Sequence, residues 1–407
     1  MKDNRKILVG DYKVDEEDKK AILEVISSGR ISEGKRVRSF EKEWAAYNGT
    51  KYSVLVNSGT SALIAALAAL KNTGKIKEKT KVITTPITYI ATSNAIMLSG
   101  LEPVYVDVDP ITFTISPEKI KERLEETPDA QEYSTLLPIH LTGYACDMDA
   151  INRLSSKYGL TTIEDSSQAH GTLYKGKRTG SMSALSTYSF YIAHNIQVGE
   201  MGAVNTNDPE LFRLIKKIKA NGRMCDCPTC TRTTTGCPKM KSYRGLDDFD
   251  PRFSHDMIGY NFKTMEFQAA LALTQLRRVD SIIRKRRENV KYLNDALEKH
   301  SDVLQLPEYS KDVSYMVYPL VIRRDARITR KELRCALEKM GIETRPLFGC
   351  IPTQQPAYEF LRKEYEGKLP NAEFLGRNAF YIGCHQYLDG KDLEYVTECF
   401  NEVLGNA

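Results

Sequence analysis

The 407-residue chain contains no apolar run long enough to cross a bilayer as a helix, which takes about 20 consecutive apolar residues. Its opening stretch, MKDNRKILVGDYKVDEEDKK, lacks an apolar signal core. These two absences argue against a membrane partner and make the cytosol the expected compartment. An excess of one charge is also lacking: 58 Lys and Arg stand against 53 Asp and Glu, a formal net charge of +5 spread along the chain. The one dense basic run, RRVDSIIRKRRENVK (277–291), has helical spacing, so it reads as a solvated helix face rather than a stripe for nucleic acid. No internal repeat is present.

What is there suits two domains with substantial cores, since 41% of the residues are hydrophobic. Up to about residue 280 the chain alternates helical patterns such as SALIAALAALKN with short apolar runs. KYSVLVN, KVITTP, PVYVDV, TLLPIH and TTIED are the clearest strands. The alternation predicts an α/β domain, residues 1–280, with a large, mostly parallel sheet covered by helices on both faces. A long helical stretch, EFQAALALTQLRRVDSIIRKRRENVKYLNDALEKH, then leads into a smaller C-terminal α/β domain, residues 281–407, which contains YMVYPLVI. Residues 224–256 carry no helical or strand period and are rich in Cys, Pro, Gly and Asp; a loop of that length in a compact domain is usually functional. Of the nine cysteines, Cys146, Cys335, Cys350, Cys384 and Cys399 are scattered and read as small core residues. Cys225, Cys227, Cys230 and Cys237 crowd into MCDCPTCTRTTTGC, which in a reducing compartment suggests a metal site rather than disulfides.

Three strand ends carry chemistry. NSGTSAL (57–63) follows a strand and opens a helix, so its free N–H groups and helix dipole would suit a phosphate, with the Thr60 and Ser61 hydroxyls adding donors. IEDSSQAHG (163–171) ends a strand on an acidic pair. Asp165 there either caps a surface helix or holds a protonated ring nitrogen. SFYIAHNIQVGEMGAV (189–204) forms the third strand end.

Their order and spacing resemble the DegT/StrS family of pyridoxal-phosphate-dependent sugar aminotransferases, which have the aspartate aminotransferase-like fold (fold type I of the PLP-dependent transferases). The resemblance begins at GRISEGKRVRSFEKEWAAYNG (29–49). It continues through TPITYIATSNAI, PVYVDVDPITFTI, GYACDMDAI and EDSSQAHG to GYNFKTMEFQAALALTQL. It implies a pocket for pyridoxal 5′-phosphate or pyridoxamine 5′-phosphate. Gly59, Thr60, Ser61 and Ser189 would bind the phosphate, Tyr89 would stack on the pyridine, and Asp165 would pair with the ring nitrogen so that the ring acts as an electron sink. Gln168 would lie near the 3-hydroxyl. Asn261 would reach the phosphate of a neighbouring subunit, implying a homodimer.

The family's aminotransferases carry lysine where this chain has His194. Imidazole cannot make the covalent carbon–nitrogen link to the cofactor, and neither neighbour, Ala193 or Asn195, offers an amine. The cofactor is then expected to be held non-covalently, as pyridoxamine phosphate. His194 retains the proton-shuttling half of the lysine's work, with an ordinary imidazole titrating near 6.5. A Lys-to-His branch resembles this pattern: the NDP-4-keto-6-deoxyhexose 3-dehydrases. ETRPLFGCIPTQQPAY (343–358) and NAFYIGCHQYL (378–388) are similar to it as well. The implied reaction is loss of the C3 hydroxyl from a nucleotide-diphosphate sugar, and Arg345 and Lys35 are candidates for meeting its diphosphate.

One subtype of the branch is metal-free and regenerates the cofactor amine from glutamate. The other uses a 2Fe–2S iron–sulfur cluster and a flavin or iron–sulfur reductase. Cys225 and Cys227 match two of the latter's ligand positions, and Cys237 lies close to a third. Ser167 occupies the fourth, where Cys230 could stand in. Tyr191 fits the iron–sulfur subtype, whereas Gln168 is the aminotransferase-like choice. An iron–sulfur cluster, a structural zinc or no metal all remain open for this loop. A further alternative is an inactive scaffold that only binds a nucleotide sugar, although decay should then have eroded Asp165, Ser189 and Asn261.

Overall fold

The computed structural model describes residues 5–76, 80–127, 129–227, 230–237 and 249–405. Seven strands form its large sheet. In spatial order they are Tyr52–Val56, Gly202–Thr206, Leu185–Ser189, Thr161–Asp165, Tyr133–Leu137, Lys81–Thr84 and Glu102–Tyr105. The five runs expected as strands all belong to it. All pairings are parallel except those of Gly202–Thr206, which runs antiparallel between its two neighbours. The strands are buried almost throughout because helices cover both faces, which explains their nearly continuous apolar character.

The helix Glu266–Leu297 runs unbroken past residue 280. A second, antiparallel sheet follows, in the order Leu304–Gln305, Tyr318–Ile322, Ala379–Ile382, Arg345–Pro346. The chain's beginning joins this region through a bridge between Ile7 and Ile342. Among the described residues no helix is long and apolar enough to cross a membrane, and those of the 224–256 loop form neither helix nor strand.

Two buried charges attach the N-terminal segment to this frame. The helix Lys35–Asn48 has no acidic residue in its first turn and no side-chain cap of its own. The buried Glu266 carboxylate supplies both, accepting the N–H groups of Gly34 (2.8 Å), Arg36 (2.8 Å) and Val37 (3.0 Å). It thereby satisfies N–H groups that a helix start leaves orphaned. Lys219, also buried, pairs with Glu33 (3.0 Å) and Glu41 (3.3 Å) and donates to the Leu55 carbonyl (3.0 Å). Replacing Glu266 with alanine should cost about 2 kcal/mol or more, because three buried N–H groups lose a charged acceptor. Urea unfolding measures this, and an unchanged midpoint would show that the cap contributes nothing.

Candidate active site

The topology gathers three chain segments at one edge of the large sheet. Val56 pairs with Gly202, and Gly202 pairs with Ser189. Two antiparallel steps restore direction, so Tyr52–Val56 and Leu185–Ser189 end on the same side. The neighbouring strand ends there too, on Asp165. A cavity of about 620 Å³ opens at this edge, the usual place for a ligand in an open α/β sheet.

Close packing explains the glycines. A Cβ at Gly59 would lie 2.6 Å from the Ser189 Cβ, and one at Gly202 would lie 2.2 Å from the Ser58 carbonyl oxygen. Gly59, Thr60 and Ser189 line the cavity together with Ser58. The helix Gly59–Asn72 starts here, and Ser58 caps it by accepting the Ser61 N–H. Ser61 itself is buried behind the wall, its hydroxyl accepting from that of Ser58 at 3.0 Å.

Asp165, Gln168, Tyr89 and His194 also line the cavity. Asp165 is buried, with one carboxylate oxygen accepting the Ser167 N–H (3.1 Å) and the other the Thr92 hydroxyl (3.5 Å). Burial raises its pKa above the usual range. The Gln168 amide oxygen accepts the Thr142 N–H at 2.8 Å, which leaves its NH₂ as the group it can offer. Tyr89 is 61% exposed, its ring 6.0 Å from that of Phe348. Arg345 reaches the cavity from the second sheet, held by Glu343 at 2.7 Å.

Asn261 and Lys35 do not reach this cavity, and both are exposed. The residues that sequence reasoning did not single out include Ser58, Thr92, Glu200, Phe348 and Tyr381 on the wall, and the buried Arg286 behind it. Ser58 and Thr92 had a signal in their motifs; Glu200, Phe348, Tyr381 and Arg286 had none, since only packing brings them here.

Residues 12–401 match the DegT/DnrJ/EryC1/StrS aminotransferase family. The chain belongs to this family. Its DegT/DnrJ/EryC1/StrS relatives include two kinds of enzyme. The dTDP-4-dehydro-2,6-dideoxy-D-glucose 3-dehydratase of Saccharopolyspora spinosa is 33% identical, over 97% of this chain and 86% of that protein. GDP-perosamine synthase of Escherichia coli O157:H7 is 32% identical, over 96% of each. Among solved structures, the E. coli GDP-4-keto-6-deoxy-D-mannose-3-dehydratase with bound hydrated PLP is 26% identical. It superposes with a TM-score of 0.84, over 97% of this chain and 100% of that one. The fold is therefore that of the PLP-dependent aminotransferases, as the sequence led one to expect.

The pocket of this DegT/DnrJ/EryC1/StrS chain fits such a cofactor chemically. It offers the first N–H groups of a helix at one end. At the other it holds a buried carboxylate whose raised pKa calls for a cationic or N–H partner.

The cysteine loop departs from expectation. Among the described residues no group of three or more His, Cys, Asp or Glu is placed to hold a metal. Cys230 is exposed, and Cys225, Cys227 and Cys237 are half-buried. Cys225 is tied to Pro251 by its backbone N–H (3.0 Å), while a turn held from Thr231 to Gly236 separates Cys230 from Cys237. As described, the four cysteines are not gathered into an iron–sulfur or zinc site. Residues 228, 229 and 238–248 lie outside the described part of the loop.

His194 is also not the ordinary imidazole that the sequence implied. Burial, reinforced by the Arg286 guanidinium, pushes it down to about 3. Burial and Arg286 push His385 down to about 4. His170 is lowered well below its usual range by burial, His194 and Arg286. All three rings are neutral in the fold yet titrate near 6.5 in an unfolded chain. Below that pH the unfolded chain takes up protons the folded one refuses. The stability they contribute is thus complete above pH 7 and lost on acidification towards pH 4. From pH 7 to 5 each ring should cost about 2 kcal/mol. Urea unfolding at the two pH values tests this, and in His194→Asn the loss should shrink by one ring's share. Equal losses in both proteins would contradict it.

Proposed function

We propose that this protein is a pyridoxamine phosphate-dependent 3-dehydrase of a nucleotide-linked 4-keto-6-deoxyhexose. One observation carries the reading: His194 lines the cavity beside Asp165 and Ser189, and no lysine is among the described lining residues. Transamination in this family would need that amine. The 3-dehydratases among the relatives support the reading, while the GDP-perosamine synthases define its alternative.

The cofactor would supply an amine for the sugar's C4 ketone and a ring that stores an electron pair. The chain's own residues do the rest. The N–H groups of Gly59 and Thr60 and the Ser189 hydroxyl hold the phosphate, with Ser61 bracing Ser58 from behind. Tyr89 covers one ring face, Asp165 keeps the ring nitrogen protonated, and Gln168 donates towards the 3-hydroxyl. Arg345 faces the sugar's diphosphate. His194 removes a proton from the cofactor's C4′ carbon and delivers one to the departing C3 hydroxyl. The environment that disfavours the charged ring makes the imidazolium a strong acid, suited to releasing that proton. Asn261 acts on the partner subunit's phosphate in a homodimer. Its exposure outside its own cavity, beside exposed Ile258, Tyr260 and Met265, supports this assembly.

Supplied with pyridoxamine phosphate and such a sugar, the protein should exchange the C4′ proton with solvent. It should transfer no nitrogen to the sugar, as read by mass spectrometry of ¹⁵N-labelled cofactor. His194→Asn should abolish the exchange, and His194→Lys should let borohydride fix the cofactor covalently at residue 194. Nitrogen transfer or covalent fixation in the unsubstituted protein would establish an aminotransferase instead.

We read the cysteine loop as a thiolate metal site, because Cys225, Cys227, Cys230 and Cys237 are four cysteines within thirteen residues. Closing on a metal requires the loop to rearrange from its described form, so no step above is routed through it. Protein purified anaerobically should contain iron and sulfide that Cys230→Ser loses, and a reductase should then support turnover. Zinc alone, or no metal, overturns this reading in favour of the metal-free subtype.

A further inference from the structure

Behind the cavity wall, the helix Glu266–Leu297 buries Arg286 to 1% exposure. Its partners are neutral. Nη1 donates to the Met316 carbonyl (2.6 Å) and more weakly to that of Tyr315 (3.4 Å), and Nε donates to the Gln386 amide oxygen (3.1 Å). Among the described residues no carboxylate lies within ion-pair distance of it. A buried cation without a counter-charge is costly to fold, so a close-packed core retains one where its charge or its hydrogen bonds serve a purpose.

The carbonyls it holds belong to a backbone turn that supports the site. Tyr315 adopts a left-handed conformation, φ 45°, that a large side chain rarely takes. The turn is stitched to catalytic-side residues at both ends. Asn195, which follows His194, donates to the Ser314 carbonyl at 3.0 Å. The Met316 N–H donates to Thr142 at 3.0 Å, and Thr142 in turn holds Gln168. Met316 lines the cavity with His194. The guanidinium thus stands directly behind the turn that carries one wall of the proton-transfer site.

We propose that Arg286 is a positioning residue for His194, anchoring the Ser314–Met316 turn and using its uncompensated charge to keep the imidazole in its proton-accepting form. The inference rests on His194 being the group that moves the proton. Other titratable groups also face that ring. His170 stacks obliquely at 5.7 Å from the loop after Asp165. Asp165, Tyr191, Glu200, Arg345 and Tyr381 share the cavity. Of these, neither carboxylate offsets the guanidinium at His194, whose ring is shifted by burial and Arg286. The same charge reaches His170 and His385, so one cation biases three imidazoles.

The test is an NMR titration of ring-labelled histidine in the full chain, without cofactor or substrate, with the His194 signal assigned by its loss in His194→Asn. The unsubstituted protein should titrate at His194 well below the ordinary 6.5. Arg286→Gln keeps an amide donor for the carbonyls but removes the charge, and should move the midpoint up by about one pH unit. Arg286→Lys should keep it low. A purely structural Arg286 would lower the unfolding midpoint in both variants and leave the His194 titration where it was. That result, or a native midpoint at or above 6.5, overturns the proposal. Should neither variant fold, a native midpoint at or above 6.5 still overturns the proposal. Because no turnover is measured, failure here is distinct from failure of the dehydrase reading, which the nitrogen-transfer experiment judges.

Discussion

The site depends on one close approach: Gly202 passes so near the Ser58 carbonyl that a single added carbon would lie 2.2 Å from it. It lies where three strands meet. The antiparallel strand Gly202–Thr206 sits between Tyr52–Val56 and Leu185–Ser189 and lets both finish at the same sheet edge. Gly59 and Ser189 then meet across a gap that admits no side chain at residue 59. This end of the pocket is a consequence of backbone packing before it is a matter of side-chain chemistry.

At the other end the pocket is built by burying charge-capable groups without opposite partners. Among the described residues, Asp165 has only hydroxyl and N–H donors, the His194 Nδ1 has no hydrogen-bond partner, and Arg286 has only neutral acceptors. Each arrangement is unfavourable in the empty protein. Together they suit a ligand bringing a cationic ring nitrogen and a proton to be moved. The neighbouring structure is correspondingly firm: the buried Glu164 carboxylate, next to Asp165, accepts from His140 (3.0 Å), Gly180 (2.7 Å), Met182 (2.9 Å) and Ser183 (2.8 Å). The His140 Nδ1 meanwhile accepts the Cys146 N–H. That ring therefore donates through Nε2, and the strand end carrying Asp165 is held in place.

The family holds both aminotransferases and 3-dehydratases, and on the proposed reading the residue at 194 is the deciding chemical difference. Lysine has a flexible amine that bonds to the cofactor and then carries protons. Histidine keeps only proton transfer, and burial beside a cation reduces its basicity further. The same wall can thus serve two reactions according to whether its proton carrier is also a nucleophile.

Alternating apolar runs identified five of the seven strands of the large sheet, because strands buried on both faces tend to be apolar over their whole length. Local motifs likewise marked Gly59, Thr60, Asp165, Ser189 and His194, since strand–turn–helix junctions place such residues at a sheet edge whatever surrounds them. The sequence by itself therefore determined the fold class and the family, and it marked His194, which lines the cavity. Tertiary structure alone decided the rest: that Ser61 faces Ser58, that Arg345 and Tyr381 of the second sheet, with Phe348 just beyond it, close the cavity, and that Arg286 stands behind His194. It also decided how far the imidazole departs from its ordinary basicity. Such features arise between residues up to about 320 positions apart, and desolvation and Coulomb interaction depend on distance through the folded core, which no local pattern of residues encodes.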